Sequence, residues 1–202
     1  MAPRIPLPGV EDMNDAQKVV YDKIVSGPRG TLVGPLRAAL HNPLLADCWQ
    51  AFGQVLRYET SFPPNLNELA ILVAARHWNS ELEWTIHAGA ARNAGLDEAV
   101  IEAIRVGKLP AFPEESAREV YDFSRELLEN GKVGDATYAA LLNRWEALGA
   151  VELTALVGYY SMVAMTLNAH RIPLPDHIPA ELNSNPPTRS ALPGSPRQAA
   201  AE

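Results

Sequence analysis

The chain has 202 residues, 47% of them hydrophobic and 20% charged, which is enough apolar material for one packed domain. Acidic residues outnumber basic ones 24 to 17, giving a net charge of −7 and a pI near 5.3. No Lys/Arg cluster occurs, and this excludes a nucleic-acid binder that meets phosphates. The single cysteine, Cys48, excludes an internal disulfide, a cysteine-rich zinc site and any CxxC redox motif.

The opening, MAPRIPLPGVEDM, carries three prolines and no apolar h-region. Residues 1–13 read as an extended arm, not a signal peptide, and a reducing, cytoplasmic setting is expected. Asn14 or Asp15 caps the first helix, in which Val19, Val20, Ile24 and Val25 recur at helical spacing until Gly27-Pro28. A Gly/Pro-rich loop leads to a short segment, LRAALH. Asn42-Pro43 opens the next helix, with Leu45, Trp49, Phe52 and Leu56 as its apolar stripe and Cys48 read as core. Ser61-Phe62-Pro63-Pro64 breaks that helix and starts another, which runs to Trp78. The helix after Asn79-Ser80 ends at Gly95, a predicted left-handed cap. Asp97 caps a short helix, and Pro113-Glu114-Glu115 begins an amphipathic one closed by Asn130-Gly131. Asp135 is predicted to cap a helix stopped by Gly149.

The last helix, Val151 to Asn168, holds one charge, Glu152, and reaches the length of a membrane span. Its Thr154, Gly158, Tyr159, Tyr160, Ser161 and Thr166, without a cationic flank, favour a helix central in a bundle or buried between subunits. A homo-oligomer is therefore expected, and no membrane association. From Asn183 onward, four prolines and no aromatic residue predict a disordered tail. No segment alternates with period two. The fold class is all-α, a single helical domain over 14–182 between extended, proline-rich ends.

The densest polar group lies between Asn67 and Leu96. Ser80, Glu83 and His87 stand at +3 and +4, on one helical face, with Glu83 and His87 about 6 Å apart. A carboxylate beside an imidazole orients it and supports a general acid or base. The same spacing also describes an exposed pair worth a few tenths of a kcal/mol, and Trp84, Ala88, Ala90 and Ala91 point to close packing instead. Glu68 has two readings of its own. It completes a capping box with Asn65, or, if Ser61 caps the helix, it lies well inside and is available for another role. His77 and Arg76, with Ser80 and Trp84, are candidate substrate contacts, Arg76 as a bidentate partner for a carboxylate. No second histidine stands at helical spacing, so no metal is expected, and no Gly-rich phosphate loop ends in Lys-Ser/Thr.

The run from Glu68 to Leu96 resembles the carboxymuconolactone decarboxylase family, which includes the AhpD-like alkylhydroperoxidases. In the AhpD branch a glutamate precedes a CxxC by twelve residues and a histidine follows the second cysteine by four. Counted from Glu68, the cysteine positions fall on Ser80 and Glu83 and the histidine on His87. Both cysteines are absent, so the resemblance implies no thiol peroxidase chemistry. HWNSELEWTIH looks more like the decarboxylase branch, which lacks the cysteine pair and keeps a tryptophan-containing segment and a histidine. That likeness implies an AhpD-like bundle assembled as a trimer or hexamer. It also implies a cofactor-independent lyase or isomerase acting on a carboxylated lactone or unsaturated ring-derived acid. His87 would be the acid/base, Glu83 its orienter and Glu68 a proton relay. The alternative is a thiol-less AhpD-like ligand-binding or scaffold protein.

Overall fold

In the computed structural model, which describes residues 2–175, 178–182 and 192–194, local signals set most helix ends. Asn14 closes a capping box on α1 (Asp15–Ser26), accepting from the Gln17 amide while the Gln17 side chain accepts from the Asn14 amide, each at 3.0 Å. α2 (Pro35–Ala39) and α3 (Pro43–Tyr58) open on proline, whose missing N–H goes unused in a first turn. Asn42 caps α3 through the Leu45 amide at 3.2 Å. α4 (Pro64–His77) and α5 (Glu81–Asn93) pack together across the turn at 78–80. Gly95, at φ 82°, ends α5 in the left-handed region open to glycine, as expected. Asp97 caps α6 (Glu98–Arg105) through the Ala99 amide at 2.8 Å. α7 (Glu115–Asn130) and α8 (Asp135–His170) complete an all-α fold with no strand among the described residues.

The predicted stop at Gly149 is not where the last helices divide. α8 breaks at Glu146 (φ 56°, ψ −168°) and runs through Gly149. Gly149 is there for space, because a Cβ would stand 2.4 Å from Trp145 Cβ and 3.3 Å from Phe62 Cζ. Asp135 is the first residue of α8 and not its cap, which is Gly134. The stripe expected on α3 is also shifted. Ala46, Trp49, Gly53 and Leu56 face inward, while Leu45, Phe52 and Cys48 are exposed, so Cys48 is not core.

α4 is the central helix. Leu69 to Ala75 are wholly buried, and α5, α6, α7 and α8 pack around it. α8 is long and apolar enough to cross a membrane by composition, yet 56% of that window is packed inside the fold. One side of α8 buries Leu153, Leu156, Val157, Tyr160, Val163 and Leu167; the other exposes Leu148, Val151 and Met165.

The N-terminal arm lies along this bundle, with the Arg4 amide donating to His170 O at 2.9 Å and Arg37 donating to Leu7 O at 3.1 Å. Most of the predicted disordered tail lies outside the described residues. Where it is described, at 192–194, it rests on α7: the buried Leu192 donates its amide to Glu129 at 2.9 Å, and Tyr121 donates to Pro193 O at 2.8 Å.

Candidate active site

Three helices bring the polar residues together. Glu68 sits in the second turn of α4, which begins after Pro63 with no side-chain cap. Neither capping role holds: Ser61 is bonded to Glu152 through its amide (2.8 Å) and hydroxyl (2.6 Å), and the Glu68 side chain turns inward. There its Oε2 meets His87 Nδ1 at 2.7 Å, with both residues buried. From α8, the Tyr160 ring stands edge-on to the imidazole, centroids 4.9 Å apart at 84°. Nδ1 is thus committed to a carboxylate. With Glu68 ionised, Nδ1–H donates to it and Nε2 is left to exchange protons.

The expected orienter is therefore replaced. Glu83 does share a helix with His87, but no hydrogen bond joins them. Glu83 is 2% exposed, and neither of its carboxyl oxygens has a hydrogen-bond partner; the same is true of Ser80 Oγ. Burial holds the Glu83 carboxyl well above the usual carboxylate range. The nearby Ser80 hydroxyl opposes this only in part, since it falls short of hydrogen-bond geometry. The residue that spacing assigned as a charged support for His87 is a carboxyl pushed toward its neutral acid form.

His87 and Glu83 line a small cavity of about 50 Å³, room for a few water-sized groups. Its polar wall also includes Arg29, Arg57, Tyr159 and Tyr160, and its apolar wall includes Val33, Leu36, Leu82, Ile86, Val163 and Leu167. Burial pushes both phenols up, Tyr160 furthest, so both stay protonated. Glu68 lines a second, wider cavity of about 380 Å³ bordered by Arg57, Tyr58, Phe62, Asn67 and Asn93. Of the bonded pair, His87 lines the smaller cavity and Glu68 the wider one, and Arg57 lines both.

The four expected substrate contacts are not in the wall of either cavity. Arg76 turns to α6, donating to Arg105 O at 2.9 Å, and also bonds Asn79. His77 is buried edge-on against Trp78. Trp84 is wholly buried and donates to Glu181 at 3.1 Å. Ser80 is buried at the start of α5. Sequence reasoning missed Arg29, Arg57, Tyr159 and Tyr160. Only the tyrosine doublet left a signal, two hydroxyls inside an otherwise apolar helix.

No family model and no curated protein matches the chain. Solved structures do. An uncharacterized peroxidase-related protein from Ralstonia eutropha JMP134, described as an alkylhydroperoxidase AhpD core, superposes with a TM-score of 0.71 at 16% identity, covering 86% of this chain and 93% of its own. An uncharacterized peroxidase-related protein from Silicibacter sp. TM1040 gives 0.68 at 16% identity, over 85% and 91%. A cysteine-to-alanine variant of the debrominase Bmp8, in complex with 2,3,4-tribromopyrrole, gives 0.69 at 12% identity, over 87% and 95%. Identity is low throughout, so what is shared is the backbone plan. Taken with the eight α-helices among the described residues, four of them packed around α4, these likenesses show that the chain has the AhpD-like all-α fold.

Proposed function

We propose that the protein is an enzyme that moves a proton on a small unsaturated carboxylic acid or carboxylated lactone, as a cofactor-independent lyase or isomerase. One observation carries this reading: a histidine buried in a cavity wall, with its Nδ1 held by a buried carboxylate at 2.7 Å. In an isomerisation, neutral His87 takes a proton from the saturated carbon that lies between the carbonyl and an unconjugated double bond. The electron pair moves onto the carbonyl oxygen as a dienolate, and the imidazolium rests on Glu68. The imidazolium exchanges its proton with solvent and delivers one to the far carbon of the dienolate. In a decarboxylation His87 starts as the imidazolium: the C–C bond breaks to release CO2, its electrons form the dienolate, and His87 protonates carbon. Glu83, as a neutral acid, is placed to donate a hydrogen bond to the developing oxyanion.

The debrominase of the same backbone plan, with its tribromopyrrole, supports a small ring compound as the ligand class. A homo-oligomer belongs to the same proposal, because Leu148, Val151, Gly158 and Met165 stand exposed at intervals of three, seven and seven residues, along one stripe of α8. The test is solvent deuterium incorporation into but-3-enoate and crotonate, followed by NMR, with a panel of lactones beside them. Exchange that falls by roughly 10²–10⁴-fold in His87→Gln supports the reading. Ligand binding by the parent protein with no exchange on any compound would make it a thiol-less ligand-binding protein instead.

A further inference from the structure

Arg29 and Arg57 line the small cavity, Arg57 also bordering the wider one with Glu68, and neither guanidinium is in an ion pair among the described residues. Arg29 lies on the loop between α1 and α2, and its Nε is buried without a hydrogen-bond partner. Its Nη2 reaches only the Tyr159 hydroxyl, at a long 3.4 Å. Arg57, in the last turn of α3, stands over the Tyr58 ring at 5.3 Å from its centroid. Elsewhere in the described residues Arg92, Arg105, Arg118, Arg125 and Arg144 each meet a glutamate within 4 Å, and neither Arg29 nor Arg57 forms such a pair. The carboxyl in the cavity wall, Glu83, is driven toward its neutral form by burial and offers little compensating charge.

Gly53 shows that this corner is built. It lies mid-helix in α3, where glycine is unfavourable, and a Cβ there would stand 2.0 Å from the Tyr159 hydroxyl and 2.4 Å from Arg29 Nη2. Only a residue without a side chain lets these two groups meet over α3. Two half-buried guanidinium groups and a protonated phenol thus line one small cavity, and no carboxylate pairs with either guanidinium among the described residues.

We propose that Arg29, Arg57 and Tyr159 form an anion subsite that takes the carboxylate of a small organic acid, with the rest of the ligand directed at His87 and Glu83. The planar carboxylate matches the guanidinium fork, and the small interior suits a short chain or a single ring. This rests on the acid/base reading above and names the end of the substrate that the protein holds.

The experiment titrates crotonate, its neutral isostere crotonamide and inorganic phosphate into the parent protein and into Arg29→Gln, Arg57→Gln, Arg29→Lys and Gly53→Ala, by calorimetry at two salt concentrations. Crotonate should bind at least about tenfold more tightly than crotonamide, and more weakly at high salt. Each glutamine variant should lose about tenfold or more in crotonate affinity with crotonamide unchanged, Arg29→Lys should recover part of it, and Gly53→Ala should lose it with its helical signal intact. Equal binding of acid and amide, unchanged affinity in both glutamine variants, preference for phosphate, or no binding by the parent overturns the subsite. The deuterium-exchange assay separates the two ideas. If exchange depends on His87 but the arginine variants keep their KM, the subsite falls and the acid/base reading stands. If crotonate binds through the arginines and is never exchanged, the acid/base reading falls and the subsite stands.

Discussion

Replacing Glu83 by Gln keeps the side chain's shape and removes its titration. In the unfolded chain this carboxyl titrates at about 4.3; in the folded protein burial, offset only in part by the nearby Ser80 hydroxyl, holds it well above that. Between those two points the folded state keeps a proton that the unfolded chain has lost. Stability of the parent therefore falls as pH rises through that window and levels off once Glu83 itself ionises. The slope is at most about 1.4 kcal/mol per pH unit, and for a domain of this size each kcal/mol moves Tm by about 2–4 °C. The Tm of Glu83→Gln minus that of the parent should accordingly be flat below about pH 4 and grow by as much as about 3–6 °C per pH unit above pH 5. Thermal melts of both proteins between pH 4 and 8 measure it directly. A difference that does not change with pH, or that shrinks as pH rises, would refute the assignment of Glu83 as a buried neutral acid.

The Glu68–His87 pair should show coupling in a double-mutant cycle. Glu68→Ala and His87→Ala, alone and together in urea melts, are expected to give about 1–3 kcal/mol of interaction energy, and a value near zero would show that the 2.7 Å contact is not formed in solution. Gly149→Ala should cost about 1–3 kcal/mol, since the new methyl meets Trp145 Cβ, which is fixed close to its own backbone; a loss below about 0.5 kcal/mol would mean that α8 shifts freely at the Glu146 break. Light scattering should find more than one 22.0 kDa chain per particle, with Val151→Glu lowering the mass; a monomeric parent protein at micromolar concentration removes the oligomer from the proposal.

Local chemistry was legible in the sequence because it acts within a few residues. Asn14, one of the two caps the sequence offered for α1, closes that helix, Asn42-Pro43 opens α3, Asp97 caps α6 and Gly95 ends α5, since each signal needs only the backbone of the adjoining turn. Helix periodicity likewise placed Glu83 and His87 on one helix close together. What faces that helix is a matter of packing between elements distant in sequence. α4 lies against α5, so Glu68, nineteen residues from His87, becomes its partner, and Glu83, four residues away, is left without one. Packing also decides charge: the same glutamate that the sequence offers as a charged support for His87 is driven toward a neutral acid by burial in the fold. Arg29 and Arg57 left no pattern because one lies in a loop and the other at a helix end, and only the gap at Gly53 brings Arg29 to Tyr159. The sequence determined the all-α class, most helix ends and the placing of Glu83 and His87 on one helix, though not the buried stripe of α3 or the break in α8. The tertiary structure decided which faces meet, because burial and contact depend on how whole helices cross and not on spacing along any one of them.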